Sequence, residues 1–217
     1  MERNSKTWKW LYQFYGWFYD QFIGSALKKS RKWVSRYIRN QDLFPVLDLC
    51  CGTGAQIQLL GKNREWVYGV DLDFNMLQYA STRHRGYSFV CGNARWLPFK
   101  PDFFRSVILS YAVHEKAPSL RQKMIQDVFR VLIPEGKIIF IDYEIPRNFI
   151  SRVGRMATFI IERSAGKKHF QNSQEFLSQG GLKEFIHKNG LKEISSVHLD
   201  LGSSRIVIAE RPPSYKK

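Results

Sequence analysis

A glycine turn after a short apolar run is the first part of this chain whose residue types could support chemistry. The stretch VLDLCCGTGAQ sets Asp48 on a predicted strand and Gly52 and Gly54 in the turn behind it. Such glycines let the backbone approach a ligand closely, and a helix N-terminus favours a negative group. Asp71 ends the next predicted strand, where its carboxylate can bind both hydroxyls of a ribose. Ile57 replaces the third glycine of a dinucleotide site, which argues against NAD.

The adjacent thiols in this turn are predicted to pack rather than to react. Cys50 and Cys51 are neighbours, and a disulfide needs a Cβ geometry that neighbours rarely reach. Cys91 is the third cysteine, and no Cys or His pairs occur at the spacing of a zinc site, so we expect no metal. Three cysteines without a pairing pattern suit a reducing compartment, which favours a cytoplasmic protein.

Short apolar runs alternate with amphipathic stretches through the middle of the chain, and this alternation predicts an α/β fold. Strands that alternate with helices form a parallel, doubly wound sheet with helices on both faces. The predicted strands of this part are PVLDLC, WVYGVDL, YSFVCGN, SVILSYA and GKIIFIDYE, with helices over GAQIQLLGK, 75–81 and 118–132. A helix over QGGLKEFIHKNG then leads to ISSVHLDLG and SRIVIAER, whose short connection makes this last pair antiparallel.

The length of 217 residues fits a single domain. Two helices are predicted before the sheet, over 5–22 and 25–39, and a segment after the fifth strand breaks the α/β rhythm. We therefore divide 1–217 into an N-terminal helical cap (1–40), a core (44–144), a helical insertion (145–175) and a last helix with β-hairpin (176–217). The N-terminus lacks the apolar core of a signal peptide, and no stretch is apolar enough to span a bilayer.

Five motifs in consistent order resemble those of the class I S-adenosylmethionine-dependent methyltransferases. The matching stretches are VLDLCCGTGA, VYGVDLDFNML, VCGNARWLPF, FRSVILSYAVHE and DVFRVLIPEGKIIFIDY. The resemblance implies a Rossmann-like, doubly wound seven-stranded sheet with an antiparallel last strand, N-terminal helices and an insertion after strand five. It also implies S-adenosyl-L-methionine as cofactor and S-adenosyl-L-homocysteine as product. Cys50 and Asn93 depart from the family pattern, which has glycine and aspartate at these positions.

The resemblance also implies which residues contact the cofactor. The first motif would surround its methionine part, Asp71 would bind the ribose, the residues after the second and third strands would border the adenine, and two N-terminal tyrosines would cover it. The expected contacts are Tyr15, Tyr19, Asp48, Cys50, Cys51, Gly52, Thr53, Gly54, Asp71, Leu72, Met76, Gly92, Asn93, Ala94, Ser110 and Tyr111.

Methyl transfer is an in-line displacement that needs alignment, and a base where the nucleophile carries a proton. His114 follows the fourth strand, on the edge where such sheets bind ligands, so His114 and Tyr111 are the candidate catalytic residues. A helix-start histidine bonded to the backbone is an equally good interpretation of His114. Tyr143 and His169 are further candidates, although His169 is expected in a solvated loop of the insertion.

The sequence leaves more than one class of methyl acceptor open. WFYDQF resembles the N-terminal helix of the ubiquinone/menaquinone C-methyltransferase group and of phospholipid N-methyltransferases, which favours a small-molecule or lipid-like acceptor. No Asp/Asn-Pro-Pro-Tyr follows the fourth strand and no Pro-Cys occurs, so the patterns of DNA methyltransferases are missing. RNA has only the net charge of +15 in its favour, and a cofactor-binding protein without catalysis has no feature in its favour.

The same charge, from 34 basic and 19 acidic residues, predicts an anionic partner. Basic residues flank apolar stripes in the helix predicted over 25–39 and in the insertion, which predicts peripheral contact with an anionic membrane. Packing of both stripes on the sheet with solvated charges is the alternative. The cations of the first segment are Lys28, Lys29, Arg31, Lys32, Arg36 and Arg39, and those of the insertion are Arg147, Arg152, Arg155 and Arg163.

Overall fold

The computed structural model describes most of the chain after its first 24 residues. The described residues are 25–61, 64–146, 149, 151–152, 159, 162–163, 166–199 and 202–212. The helix expected over 5–22, with Tyr15 and Tyr19, lies outside the described residues, as do 13 of the 31 residues of the predicted insertion. No helix of the described part is long and apolar enough to cross a membrane.

Seven strands form one mixed sheet in the order β3-β2-β1-β4-β5-β7-β6. The strands are β1 (Val46–Leu49), β2 (Val67–Asp71), β3 (Ser88–Cys91), β4 (Phe104–Ser110), β5 (Leu132–Tyr143), β6 (Lys192–Leu199) and β7 (Ser204–Glu210). The first five run parallel, whereas β7 pairs antiparallel with both β5 and β6. The predicted doubly wound sheet with an antiparallel last strand is therefore confirmed.

Five α-helices occur in the described part of the chain. They are α1 (Ser25–Asn40), α2 (Phe74–Arg83), α3 (Pro118–Val131), α4 (Lys167–Ser178) and α5 (Gly181–Lys188). Local sequence explains where two of them start. The Asp73 carboxylate accepts hydrogen bonds from the amides of Asn75 and Met76 and so caps α2. Pro118 begins α3, where a missing N–H costs no hydrogen bond.

The helices cover both faces of the sheet, so the central strands are mostly apolar. On one face, α1 and α2 contribute Val34, Ile38 and Leu77 to a core with the central strands. On the other face, α3, α4 and α5 contribute a second set of buried side chains, namely Met124, Ile125, Val128, Phe176, Leu177, Leu182 and Ile186. Strands β3 and β6 are the two edge strands, and the side chains of β6 are mostly exposed.

Two segments differ from the sequence prediction. The helix expected over GAQIQLLGK is only a 3₁₀ helix, Ile57–Leu60, because it is confined between Gly54 at φ +72° and Gly61 at φ +91°. A second 3₁₀ helix, Arg64–Trp66, precedes β2. Helix α4 was not predicted as a separate element, and it starts inside the segment that we assigned to the insertion and continues beyond it.

Candidate active site

The glycine turn after β1 passes repeatedly through left-handed backbone conformations. Cys50 has φ +61°, Gly52 has φ +52° and Gly54 has φ +72°. A Cβ atom on Gly52 would meet nothing within 4 Å, so this side of the turn is open to a ligand. A Cβ atom on Gly54 would lie 3.0 Å from His84 and 3.1 Å from Phe89. Packing therefore requires glycine at position 54, and open space for a ligand lies beside Gly52.

Asp71 ties this turn to the end of β2. Its Oδ2 accepts a hydrogen bond of 2.8 Å from the Gly52 amide, and its Oδ1 accepts one of 2.9 Å from the Asp73 amide. An ionised carboxylate has about four lone-pair positions. Asp71 therefore fixes the turn and still has capacity for further hydroxyl donors, as a ribose would supply.

Asp48 is a buried carboxylate beneath the same turn, with only 2% of its surface exposed. Its Oδ2 atom has no hydrogen-bond partner among the described residues. Burial raises the pKa of Asp48 to about 7, an effect that Arg31 opposes and Asp71 increases. A buried carboxylate without a full set of donors is costly unless a ligand supplies them.

Helix α1 holds the turn from the other side. The Gln56 side chain donates to the Ser35 hydroxyl at 2.8 Å and to the Arg31 carbonyl at 3.2 Å. Arg31 is itself only 9% exposed and lies close enough to affect Asp48. The sequence analysis grouped Arg31 with the membrane-facing cations, and this assignment is wrong, because Arg31 faces the sheet.

The remaining expected cofactor contacts lie along the carboxyl edge of the parallel strands. Leu72 is 69% exposed, and Met76 is half-buried on α2. Gly92, Ala94 and Asn93 follow β3 and are half-buried, and the Asn93 side-chain oxygen already accepts a hydrogen bond of 3.1 Å from the Arg95 amide. Thr53 is buried in the turn and Ser110 is half-buried at the end of β4.

Both thiols of the turn are free. Burial raises the pKa of Cys50 to about 12, with Lys116 opposing the shift and the Glu115 carboxylate adding to it. Burial likewise raises the pKa of Cys51 above its ordinary value. Both side chains are therefore protonated at neutral pH and do not act as thiolate nucleophiles or ligands.

His114 lies in a second, buried part of the site beyond β4. Its Nδ1 is 2.7 Å from Asp142 Oδ1, and its Nε2 is 3.3 Å from Glu162 Oε2. Asp142 ends β5 and also accepts hydrogen bonds from the amides of Val113, His114 and Tyr143. The histidine is thus held by a carboxylate on each side rather than by backbone carbonyls, which was the alternative interpretation.

His169 joins this cluster from α4. Its Nε2 is 2.7 Å from Glu162 Oε2, and its Nδ1 is 3.3 Å from Glu115 Oε2. The Tyr143 hydroxyl donates to Glu162 Oε1 at 2.8 Å. The prediction of a solvated loop for His169 is wrong, since the residue lies on a helix with 24% of its side chain exposed.

The carboxylates control the protonation of both imidazoles. Burial disfavours a charged His114, but Asp142 and Glu162 outweigh it and raise its pKa to about 10. Hydrogen bonds to Glu115 and Glu162 raise the pKa of His169 to about 9. At neutral pH these pKa values favour the imidazolium form of both rings. An imidazolium cannot accept a further proton, which opposes a simple base role for His114.

Tyr111 connects the turn with the histidine cluster. Its backbone has φ +52°, an uncommon conformation for an aromatic residue, and its amide donates to the Ile141 carbonyl. Its ring centroid is 6.4 Å from that of His114 and 5.5 Å from that of Tyr143. A cavity of about 610 Å³ opens beside the cluster, and its wall includes Arg95, Glu115, Lys116, Lys123, Lys167, Lys168 and His169.

Three site residues were missed by the sequence analysis. Asp142 stands at a strand end like Asp71, and the same criterion applied to FIDYE would have found it. Glu115 directly follows His114 but gives no signal of its own. Glu162 lies in the predicted insertion without a signal of its own, and only the tertiary structure brings it within 3.3 Å of His114.

The chain is similar to known methyltransferases in sequence. The family described as "Methyltransferase domain" matches residues 46–136. Demethylmenaquinone methyltransferase from Lactobacillus johnsonii is 28% identical over 181 residues, which cover 75% of this chain and 73% of the relative. Two other curated relatives are matched over only about half of their own length, at 50% and 55%.

Solved structures share the fold at low sequence identity. The PH0226 protein from Pyrococcus horikoshii is 20% identical, with a TM-score of 0.64 over 88% of this chain and 92% of that protein. Geranyl diphosphate C-methyltransferase from Streptomyces coelicolor is 16% identical, with a TM-score of 0.57 over 78% of this chain and 72% of that protein. That enzyme was crystallised with Mg²⁺, geranyl diphosphate and S-adenosyl-L-homocysteine.

The raised pKa of Asp48, about 7 instead of 3.8, predicts a pH-dependent stability. The contribution of the protonated Asp48 carboxyl to the free energy of unfolding is fully present below pH 4. This contribution is lost as the pH rises through 7. Asp48→Asn cannot ionise, so its free energy of unfolding in urea should fall less between pH 5 and pH 8 than that of the wild type. The expected difference is on the order of 1–3 kcal/mol.

Asp42→Asn is the matched control, because Asp42 is exposed and its φ of +48° suits asparagine equally well. This variant should follow the wild-type pH dependence. Parallel curves for Asp48→Asn and the wild type would contradict the assignment of a buried, poorly solvated carboxylate.

Proposed function

The chain belongs to the class I S-adenosylmethionine-dependent methyltransferases, and we propose that its acceptor is a small, lipid-like ring compound of the quinol type. The turn after β1 supports the assignment of the cofactor-binding site. The apolar edge around this turn, together with the relatives, supports the class of acceptor.

The turn and the two strand ends fit S-adenosylmethionine. Asp48 Oδ2 has no partner among the described residues and can accept from the ammonium of the methionine part. The open side of Gly52 leaves room for this part, and the free lone pairs of Asp71 can accept the ribose hydroxyls. The unpartnered Asp48 oxygen beside an open glycine turn is the observation that carries the proposal.

Apolar side chains at the same edge suit an acceptor that is itself apolar. Leu72, Phe74 and Trp96 follow β2 and β3 and are 69%, 64% and 77% exposed. Exposed apolar groups that occur together commonly mark a binding surface. The relative named demethylmenaquinone methyltransferase acts, by its name, on a quinone, and we extend this substrate class to the present chain.

The reaction requires alignment of the acceptor, which loses a proton to solvent as it gains the methyl group. The bound cofactor supplies a methyl group on a positively charged sulfonium. Tyr111 and His114 are proposed to lie at the acceptor, since Tyr111 adjoins both the turn and the His114 ring. Asp142 holds His114 in one orientation, and positive charge on the cluster would stabilise a developing phenolate oxygen.

Contact with an anionic membrane is proposed as the route to such an acceptor. Lys28, Lys29, Lys32 and Arg36 are exposed on α1. In the described part of the insertion, Phe149 is 78% exposed, and Arg152 and Arg163 are exposed as well. Exposed cations beside exposed aromatics are the features of interfacial binding.

The cofactor assignment predicts the effect of changing Asp71. S-adenosylmethionine and S-adenosylhomocysteine should bind the wild type, and Asp71→Ala should weaken both by about 1.5–3 kcal/mol through lost charged hydrogen bonds. Isothermal titration calorimetry measures this. Asp73→Asn, which keeps the cap of α2, is the control and should bind normally. Equal affinities in wild type and Asp71→Ala would overturn the assignment.

The acceptor assignment predicts where a labelled methyl group goes. With labelled S-adenosylmethionine, label should enter reduced demethylmenaquinone in the organic extract and not total RNA. His114→Ala should lower this rate by about 10²–10³-fold, because stabilisation of the developing phenolate is lost, while cofactor affinity stays unchanged. His187→Ala, at an exposed histidine of α5, should react normally. Transfer to RNA alone, or no transfer to the quinol, would refute the acceptor class.

The membrane proposal predicts salt-sensitive binding to anionic vesicles. The protein should co-sediment with vesicles of phosphatidylglycerol, and not of phosphatidylcholine, at low salt. Replacement of Lys28, Lys29 and Lys32 by Gln should weaken this binding on the order of 100-fold, since each cation contributes about 1 kcal/mol at an anionic surface. Replacement of Lys183, Lys188 and Lys192 removes the same charge elsewhere and should change little. Equal losses in both variants would mean that net charge alone is responsible.

A further inference from the structure

We propose that His114, Glu162 and His169 form a binding site for one divalent transition-metal ion. Their ligand atoms, two imidazole nitrogens and one carboxylate oxygen, all lie within 4.8 Å of one another. The inference goes beyond the methyl-transfer activity and does not depend on which acceptor the enzyme uses.

The spacing of the ligand atoms suits a single ion. Glu162 Oε2 is 3.3 Å from His114 Nε2 and 2.7 Å from His169 Nε2. Two ligand atoms that bind one tetrahedral ion at about 2.1 Å lie about 3.3 Å apart. The first distance already has this value, and the second requires only a small outward shift of His169, which is the most exposed of the three.

Each ligand is oriented by a second group that leaves the metal-facing atom free. Asp142 binds Nδ1 of His114, and Glu115 lies 3.3 Å from Nδ1 of His169, so both rings turn Nε2 toward the same point. The Tyr143 hydroxyl binds Oε1 of Glu162 and leaves Oε2 available. A carboxylate behind each ligating imidazole is the usual outer arrangement of histidine metal sites.

One of the three ligand atoms lacks a satisfying partner. His114 Nε2 is buried without a hydrogen bond of acceptable geometry within the described part of the chain, whereas Glu162 Oε2 pairs with His169 Nε2 at 2.7 Å. The His114 side chain is 2% exposed. Buried polar atoms normally have a partner, and this one faces the proposed ion position.

The charges of the cluster also suit a divalent ion. Asp142, Glu162 and Glu115 bring three carboxylates together, and Lys116 pairs with Glu115. Three carboxylates against one lysine make the position between the ligand atoms favourable for a cation.

The donor set indicates the kind of ion and its access. Two histidines and one glutamate are a ligand set of catalytic zinc sites, which keep a further position for water or a substrate oxygen. His169 and Glu115 line the cavity of about 610 Å³, so an ion can enter from that side. In this assignment His114 is a ligand that positions the ion.

The test is metal binding by the full-length protein in the absence of cofactor and acceptor. After treatment with a chelator, the protein is titrated with Zn²⁺ by calorimetry and with Co²⁺ by visible absorption, whose bands report the coordination geometry. One ion should bind per chain. His169→Ala and Glu162→Gln should each weaken binding at least about 100-fold, and Asp142→Asn about 10–100-fold.

His187→Ala is the matched control, because His187 lies 3.8 Å from Glu184 on an exposed helix face and should not affect binding. Circular dichroism monitors folding, and His169→Ala, at a partly exposed position, decides the outcome if the buried variants do not fold. No stoichiometric binding to the wild type, or unchanged binding in His169→Ala, would overturn the proposal. Since calorimetry with S-adenosylmethionine is measured separately, failure here leaves the methyltransferase assignment intact.

Discussion

Burial of carboxylates at the carboxyl edge of the sheet is the constraint on which the site depends. Parallel strands end at one edge, and β1, β2 and β5 each place an aspartate there, namely Asp48, Asp71 and Asp142. A buried carboxylate must be compensated by donors or positive charge. Backbone amides compensate Asp71, and amides with an imidazole compensate Asp142. Asp48 has the least complete set of hydrogen-bond donors, since its Oδ2 has no partner among the described residues. The proposed cofactor is therefore expected to bind beside Asp48.

The same compensation determines the shape of the site. To place the Gly52 amide on Asp71, the chain must turn back sharply after β1, which explains the left-handed backbone at Cys50 and Gly52. To place the amides of Val113 and His114 on Asp142, the chain must turn after β4, where Tyr111 has φ +52°. Because β1 and β4 are neighbours in the sheet, these two turns lie side by side.

Local patterns allowed the sequence to predict the first turn but not the second cluster. The strand before Gly52 and the strand that ends in Asp71 are each a short apolar run in the sequence. The positions of the turn and of the aspartate therefore follow from the apolar periodicity. His169 and Glu162 reach His114 only through the docking of α4 and of the segment before it, which no local pattern encodes. A helix was predicted after Gly54, and over so short a span apolar spacing does not distinguish a 3₁₀ helix from an α-helix.

The two cysteines of the turn can now be given a physical interpretation. A thiolate next to the sulfonium of the proposed cofactor would compete with the acceptor for the methyl group, since the thiolate is the nucleophilic form. Burial raises the pKa of Cys50 to about 12 and that of Cys51 above its ordinary value, with the nearby Asp71 carboxylate contributing to both shifts. Burial, assisted by the carboxylates that hold the turn, thus keeps its thiols protonated. A cysteine beside Gly52 is therefore a poor nucleophile at neutral pH.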